Sequence, residues 1–123
     1  MIARIWKGTT SSNKSSRYLN YMEKTGVQSC LNVRGNLGII IFEKPVDRNT
    51  EFTFISLWDS FKSIRNFSNT ASNDAVLFPE DKNFLIRFDT KTNYQNCFLY
   101  LPKIENESQK QLESIRYVPG LLI

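Results

Sequence analysis

Two apolar stretches on either side of a turn decide the fold: Ile39-Ile40-Ile41-Phe42 within 37–46, and Glu51-Phe52-Thr53-Phe54-Ile55-Ser56-Leu57 (51–57). The first is β-branched and too short for a typical helix, which predicts a strand buried on both faces. The second has almost no polar face, and PVDRNT (45–50) between them reads as a turn. Helices packed on one face of a sheet would leave the other face in water. We therefore expect a second copy of the chain to cover that face.

Upstream of this pair, the sequence predicts a strand and then a helix. Residues 2–7 alternate and are rich in β-formers. Residues 13–24 place Tyr18 and Met22 on one helical face, and Gly26 stands where a C-cap is expected. The segment 27–36 reads as a loop that ends in a Gly35-Asn36 turn.

Downstream, Asp59 is the expected N-cap of a helix over 60–68, whose apolar face repeats at Phe61, Ile64 and Phe67. A strand is predicted at 83–90, with Phe84, Ile86 and Phe88 on one side, and a further short strand at 96–101. The order β-α-β-β-α-β predicts an α+β, ferredoxin-like fold with an antiparallel sheet. We expect a domain over 1–100 and a C-terminal extension over 101–123, whose short helix docks on the partner or near the cleft mouth.

Composition excludes several classes of protein. The 123 residues are 41% hydrophobic and 13% aromatic, enough for a packed core, and the N-terminus does not have the pattern of a signal peptide. No stretch approaches the length of a membrane helix. Cys30 and Cys97 are isolated and are expected to be reduced, so we expect a cytoplasmic protein. Because no membrane helix is predicted, no membrane partner is expected. Six basic residues stand against one acid in 1–35, which either steers an anionic ligand or is simply a solvated surface.

Histidine is absent, which removes the usual general base and the commonest metal ligand. No phosphate-loop, dinucleotide, hydrolase or CxxC motif occurs. Glu80-Asp81 is expected to start a strand rather than to act as a catalytic pair. The predicted order of elements also suits an RNA-recognition domain, but the segment 51–57 has neither the glycine nor the basic residue of its motif, so no nucleic-acid partner is expected.

Three segments resemble the antibiotic-biosynthesis monooxygenase family: MIARIWKG (1–8), SLWDSFKSIRNF (56–67) and FPED (78–81). The central one is the most specific, with a strand that ends in Trp58 followed by an acidic residue and an xIRxF helix. The resemblance covers about residues 1–100. It implies a dimeric α+β barrel, in which two sheets pack face to face, as the doubly buried strands predict.

The resemblance also implies a range of activities. Some members oxidise polycyclic phenols with molecular oxygen and no cofactor; others degrade haem through a histidine ligand, which this chain lacks. Trp58 matches the pocket tryptophan of the family, although a plain core aromatic is an equal alternative. Arg4 and Arg87 lie on predicted strands and are expected either to pair with a substrate phenolate or to bind a carboxylate across the dimer. The candidate pocket residues are Trp58, Arg4, Trp6, Tyr18, Phe54, Phe67 and Arg87.

The sequence therefore predicts a monooxygenase-like homodimer that oxidises or merely binds a small hydrophobic or aromatic molecule, without a cofactor. The alternative is a non-catalytic dimeric barrel that binds a ligand or serves in a stress response. The two differ in the space beneath the helices. An enzyme requires a water-poor cavity faced by an arginine or a tyrosine, whereas a binding or structural module would fill that space with Phe54, Phe61 and Phe67.

Overall fold

The computed structural model describes residues 1–103 and arranges them as one antiparallel sheet with helices on one face. The strands are β1 Ile2–Ser11, β2 Asn36–Val46, β3 Asn49–Trp58, β4 Leu85–Phe88 and β5 Asn93–Asn96. The helices are α1 Ser15–Met22, α2 Gln28–Leu31, α3 Phe61–Ser68 and α4 Asp81–Phe84, with a 3-10 turn at Ser12–Lys14 and a π-helical turn at Glu23–Val27. The predicted α+β class and ferredoxin-like order are confirmed. The predicted tail helix falls in 104–123, outside the described residues.

The strand order is β2-β3-β1-β4, and β5 also pairs with β1. Strand β4 pairs with the Gly8–Thr10 end of β1, and β5 with the Ile2–Ile5 end. One sheet position is therefore filled by two short strands. The prediction of one strand over 83–90 and another over 96–101 is wrong in its bounds, because residues 81–84 are helical and pairing stops at Asn96.

Two core clusters lie between the sheet and the helices. One cluster contains Trp6, Tyr18, Met22 and Phe52, and the other contains Cys30, Trp58 and Ile64. Even-numbered residues of β1 pair with even-numbered residues of β3, as Trp6 does with Phe54, so they share the face that packs against the helices.

The first helix runs further than predicted. Gly26 is not a C-cap: the positive-φ glycines in the described part are Gly35 and Gly38, and the chain continues helically through Gly26 to Leu31. A glycine with helical φ leaves the hydrogen-bonded turns intact, so nothing ends the helix there. The loop predicted over 27–36 is thus limited to residues 32–35. The turn at Gly35 (φ 99°) is where the sequence predicts it.

Helix α3 is capped by Ser60 rather than by Asp59. Ser60 Oγ accepts a hydrogen bond from the Ser63 backbone N–H at 3.2 Å, while the Asp59 carboxylate accepts from the Ser63 hydroxyl at 2.6 Å. The Ser60 hydroxyl also donates to the Asp59 carboxylate, at 3.0 Å. The hydroxyl hydrogen bonds from Ser63 and then Ser60 lower the pKa of Asp59. Ile64 is buried as predicted, whereas Phe61 is half exposed.

The sheet face opposite the helices is not covered by the described chain. Ile41 pairs with Phe54 on the helix side, so Ile40 and Phe42 point the other way, and they are 43% and 56% exposed. The expectation that Ile39–Phe42 is buried on both faces therefore fails within one chain. Within residues 1–103, no helix is both long enough and apolar enough to span a membrane.

Candidate functional site

A cavity of about 40 Å³ lies between the sheet and the first helical segment. Strands β1 and β3 form its floor, α1 with the following π-helical turn forms one wall, and the segment 76–81 forms another. The lining residues are Arg4, Trp6, Tyr18, Met22, Thr25, Gly26, Phe54, Phe67, Val76, Phe78 and Asp81. A volume of this size holds about three water molecules or a ligand group of similar size.

Trp6 is fixed at the edge of this cavity by its neighbours on the sheet. Its indole N–H donates to the Asp89 carbonyl at 2.9 Å. Its ring also crosses Gly8, where a Cβ atom would lie 2.3 Å from Trp6 Cη2. Only glycine at position 8 leaves room for the indole in this position.

Tyr18 and Asp81 form a buried hydrogen-bonded pair in the cavity wall. The Tyr18 hydroxyl donates to Asp81 Oδ1 at 3.0 Å, and Asp81 Oδ2 accepts from the Phe78 backbone N–H at 2.6 Å. Burial, and then the charge of Asp81, raise the pKa of Tyr18 far above its usual range. Tyr18 therefore stays protonated and acts as a hydrogen-bond donor, not as a base.

Arg4 is the charged group with the fewest partners in the site. It is 5% exposed, and its Nη2 donates to the Asp74 carbonyl at 3.1 Å. Its guanidinium carbon lies 5.3 Å from the centre of the Phe67 ring, within range of a cation–π interaction. Its buried Nε has no hydrogen-bond partner among the described residues.

No carboxylate within residues 1–103 pairs with Arg4. The ion pairs in this part of the chain are Lys7–Glu51 and Lys91–Asp74. Lys91 binds the Asp74 carboxylate, and its hydrogen bond, followed by that of Ser72, lowers the pKa of Asp74. A buried cation without a counter-ion is destabilising, so this geometry favours an anion in the cavity.

Five of the candidate residues line this cavity, namely Arg4, Trp6, Tyr18, Phe54 and Phe67. Trp58 and Arg87 do not. Trp58 is fully buried; its indole N–H donates to Ser56 Oγ at 2.8 Å and its ring lies 5.7 Å from that of Phe67. Arg87 is exposed and pairs with Thr9 at the sheet edge.

Sequence reasoning missed the wall formed by the segment 76–81. Glu80-Asp81 was expected to start a strand, but Asp81 starts α4 and is buried. The available signal was Pro79 followed by two acids, a common pattern at a helix start. Tyr21 is half buried, and its hydroxyl accepts a hydrogen bond from the Glu80 backbone N–H at 2.8 Å.

Comparison with solved structures confirms the fold. A candidate antibiotic biosynthesis monooxygenase from Bacillus cereus superposes with a TM-score of 0.57 at 14% identity, covering 81% of this chain and 97% of that chain. A dimeric ferredoxin-like protein from an uncultured marine organism gives 0.54 at 14%, covering 83% and 97%. A variant of MhuD, solved with two manganese protoporphyrin IX molecules per active site, gives 0.53 at 13%, covering 84% and 100%. No protein-family model and no curated protein matches the chain.

The residues of this chain do not fit a histidine-ligated porphyrin, because the sequence contains no histidine to ligate its iron. Within residues 1–103, no three His, Cys, Asp or Glu side chains group as metal ligands. The chemistry of this site is therefore argued from its aromatic walls, Arg4 and the Tyr18–Asp81 pair.

Proposed function

We propose that this chain is a monooxygenase-like protein that holds part of a small aromatic compound in the cavity and oxidises it with molecular oxygen, without a cofactor. The observation that carries the proposal is the composition of the walls. Five aromatic rings, those of Trp6, Tyr18, Phe54, Phe67 and Phe78, line a space that is also lined by the buried cation of Arg4. Aromatic faces favour an aromatic ligand, and a buried cation stabilises an aromatic anion.

The proposed reaction draws all its electrons from the substrate. A phenol loses its proton, and the resulting anion passes electrons directly to oxygen. A ring carbon that carries two hydrogens in the keto tautomer receives one atom of O₂ as a carbonyl. The other oxygen atom leaves with both hydrogens as water. Arg4 would stabilise the anion, and the low-dielectric walls would strengthen that interaction.

A non-catalytic ligand-binding or stress-response module is the second candidate, and the Tyr18–Asp81 pair favours it. The Tyr18 hydroxyl donates a hydrogen bond to the Asp81 carboxylate, and its raised pKa keeps it protonated, so it cannot accept the proton of a phenol. Asp81 already accepts two hydrogen bonds. A site without a free base binds an anion that is already formed more readily than it forms one.

Oxygen consumption with hydroxylated aromatics of one to three rings separates the two candidates. Incorporation of ¹⁸O from ¹⁸O₂ identifies a monooxygenase product by mass spectrometry, and fluorescence of Trp6 in a Trp58→Phe variant reports binding alone. Gly26→Met fills the cavity, while Asn20→Met places the same side chain on the exposed face of α1. We expect oxidation to be lost in the first variant and kept in the second. Binding without oxygen uptake would establish the non-catalytic module. The absence of both binding and oxygen uptake would refute the proposal.

We also propose that the chain is a homodimer joined through its open sheet face. The dimeric ferredoxin-like protein of similar fold supports this proposal. So does an apolar row across three strands, in which Ile5 pairs with Ile55 and Ile55 pairs with the exposed Ile40. A second exposed apolar segment, Phe98–Leu101, has side chains that are 57–87% exposed. Apolar surface of this extent is typical of an interface.

Sedimentation velocity tests the dimer with a matched pair of variants. Phe42→Lys places a charge on the sheet face, and Leu31→Lys places one at an equally exposed apolar position on α2. We expect the first variant to sediment as a monomer and the second as a dimer. A wild-type chain that sediments as a monomer at micromolar concentration would overturn the proposal.

A cytoplasmic location is part of the same proposal. Cys30 and Cys97 are both unpaired thiols in the structure, as they would be in a reducing compartment. Fractionation of cells that express the native protein tests this point, and recovery with an oxidised thiol pair from an exported fraction would contradict it.

A further inference from the structure

The hydrogen-bond donors of Arg4 indicate a particular kind of ligand. One N–H, on Nη2, is used by the Asp74 carbonyl, and one face of the guanidinium is used by the Phe67 ring. The buried Nε–H remains without an acceptor. Arg4 also carries N–H groups on Nη1 and Nη2 beyond the one used by Asp74, and a guanidinium can offer two parallel N–H groups to the two oxygens of a carboxylate.

The rest of the cavity limits what this anion can be. Its volume of about 40 Å³ admits a head group of a few atoms, not a fused ring system. Asp81 lines the same cavity and does not ion-pair with Arg4. The Asp81 carboxylate repels a phosphate dianion more strongly than a monoanion, so a monoanion beside Arg4 is the favoured ligand.

We propose that Arg4 anchors the carboxylate of a small aromatic acid, with the carboxylate inside the cavity and the ring against the aromatic side chains that line it. This inference rests on the proposed aromatic ligand and assigns the direct contact with Arg4 to a carboxylate of that ligand rather than to its phenolate oxygen. Arg4 thereby becomes the residue that determines specificity for acids over neutral aromatics.

The test compares benzoate with benzamide, which share a shape and differ in charge, by calorimetry and by the shift in melting temperature. We expect the wild-type chain to bind benzoate about tenfold or more tightly than benzamide. Arg4→Met should abolish this preference, and Arg4→Lys should keep only part of it because the planar fork is lost. Arg87→Met removes an exposed arginine that does not line the cavity, and it should leave the preference unchanged.

The stability of Arg4→Met without ligand is an independent readout. If Arg4 is a buried cation that awaits an anion, an apolar side chain of similar length should keep or raise the melting temperature. A marked fall in melting temperature, together with no benzoate shift in the wild-type chain, would assign Arg4 a purely structural role and overturn the inference.

Other outcomes separate this inference from the proposed function. Equal binding of benzamide and benzoate would overturn the carboxylate anchor and leave the aromatic ligand standing. Binding of inorganic phosphate in preference to benzoate would overturn the choice of a monoanion. If neither aromatic probe binds, the anchor fails, and the oxygen-uptake screen decides the fate of the proposed function separately.

Discussion

The two tryptophans of this chain occupy the same face of the same sheet in very different surroundings. Trp58 is packed completely, among Cys30, Ile64 and Phe67. Trp6 lies two residues along β1 from the buried cation of Arg4 and borders the cavity. The Trp58 end of the layer is therefore a solid core, while the Trp6 end, which belongs to the other core cluster, borders the cavity with Arg4 and Asp81. A difference of this kind is expected where stability has been given up for a ligand.

Replacing each tryptophan with alanine tests this difference in packing and has the largest expected effect. Trp58→Ala is expected to lower the free energy of unfolding by about 3–5 kcal/mol, because a fully buried ring leaves a large void. Trp6→Ala should cost less, since the side of its ring towards the cavity has fewer packing partners to lose. Urea unfolding followed by circular dichroism measures both values. An equal or larger loss for Trp6 would show that the cavity end is as tightly packed as the other.

The tyrosine hydroxyls provide the next largest contrast. Tyr18→Phe leaves the buried Asp81 carboxylate without one of its two donors, and we expect a loss of about 1–3 kcal/mol. Tyr21→Phe removes an acceptor from the exposed backbone N–H of Glu80, which can bind water instead. Its expected cost is below about 1 kcal/mol. Similar midpoints for the two variants in urea would refute the assignment of Asp81 as a buried charge that depends on Tyr18.

The sequence predicts much of the cavity because periodic elements build its floor. Strand alternation places Trp6 and Phe54 on the helix side, and helical spacing places Tyr18 above them. The sequence cannot determine at which end of the layer between the sheet and the helices the cavity lies. Trp6 and Trp58 share one face, and the difference between them arises from Ile64 and Cys30, which fill the Trp58 end.

The position of the segment that contains Phe78 and Asp81 could not be predicted from the sequence, for a different reason. It has no hydrophobic period, so its place depends on hydrogen bonds such as the one from the Phe78 backbone N–H to Asp81. The helical conformation of Gly26 was also unpredictable locally. Glycine adopts helical and left-handed φ with similar ease, and tertiary packing decides between them.

Cys30 at the solid end and Cys97 near the chain surface give a third contrast. Burial raises the pKa of the Cys30 thiol to about 12, and the charge of Arg4 opposes this rise only in part. In the unfolded chain the pKa is close to its usual value of 9.0. Because the thiol ionises more easily in the unfolded chain, the free energy of unfolding is unaffected below pH 9.0 and falls as pH rises towards about 12. At pH 10 the loss should be about 1 kcal/mol.

The pH effect is isolated by comparing stability curves of wild type and Cys30→Ala between pH 8 and pH 10. Cys97→Ser is the matched control and should retain the wild-type slope. In the native protein near neutral pH, a thiol reagent should modify Cys97 and reach Cys30 only after unfolding. Rapid native modification of Cys30 would contradict the solid packing at that end.

The substitution with the smallest expected effect, Gly26→Ala, tests most directly whether the cavity is a binding site. A Cβ atom at Gly26 would lie 3.6 Å from ring carbons of Phe54 and of Phe78, which is ordinary van der Waals contact. Alanine is also a better helix former than glycine, so Gly26→Ala should stabilise the chain by about 0.5–1 kcal/mol while it narrows the cavity. The variant should melt at a higher temperature yet bind benzoate more weakly, as measured by calorimetry. A gain in stability with unchanged affinity would mean that the space beside Gly26 is a packing defect, whereas opposite changes are expected if it belongs to a binding site.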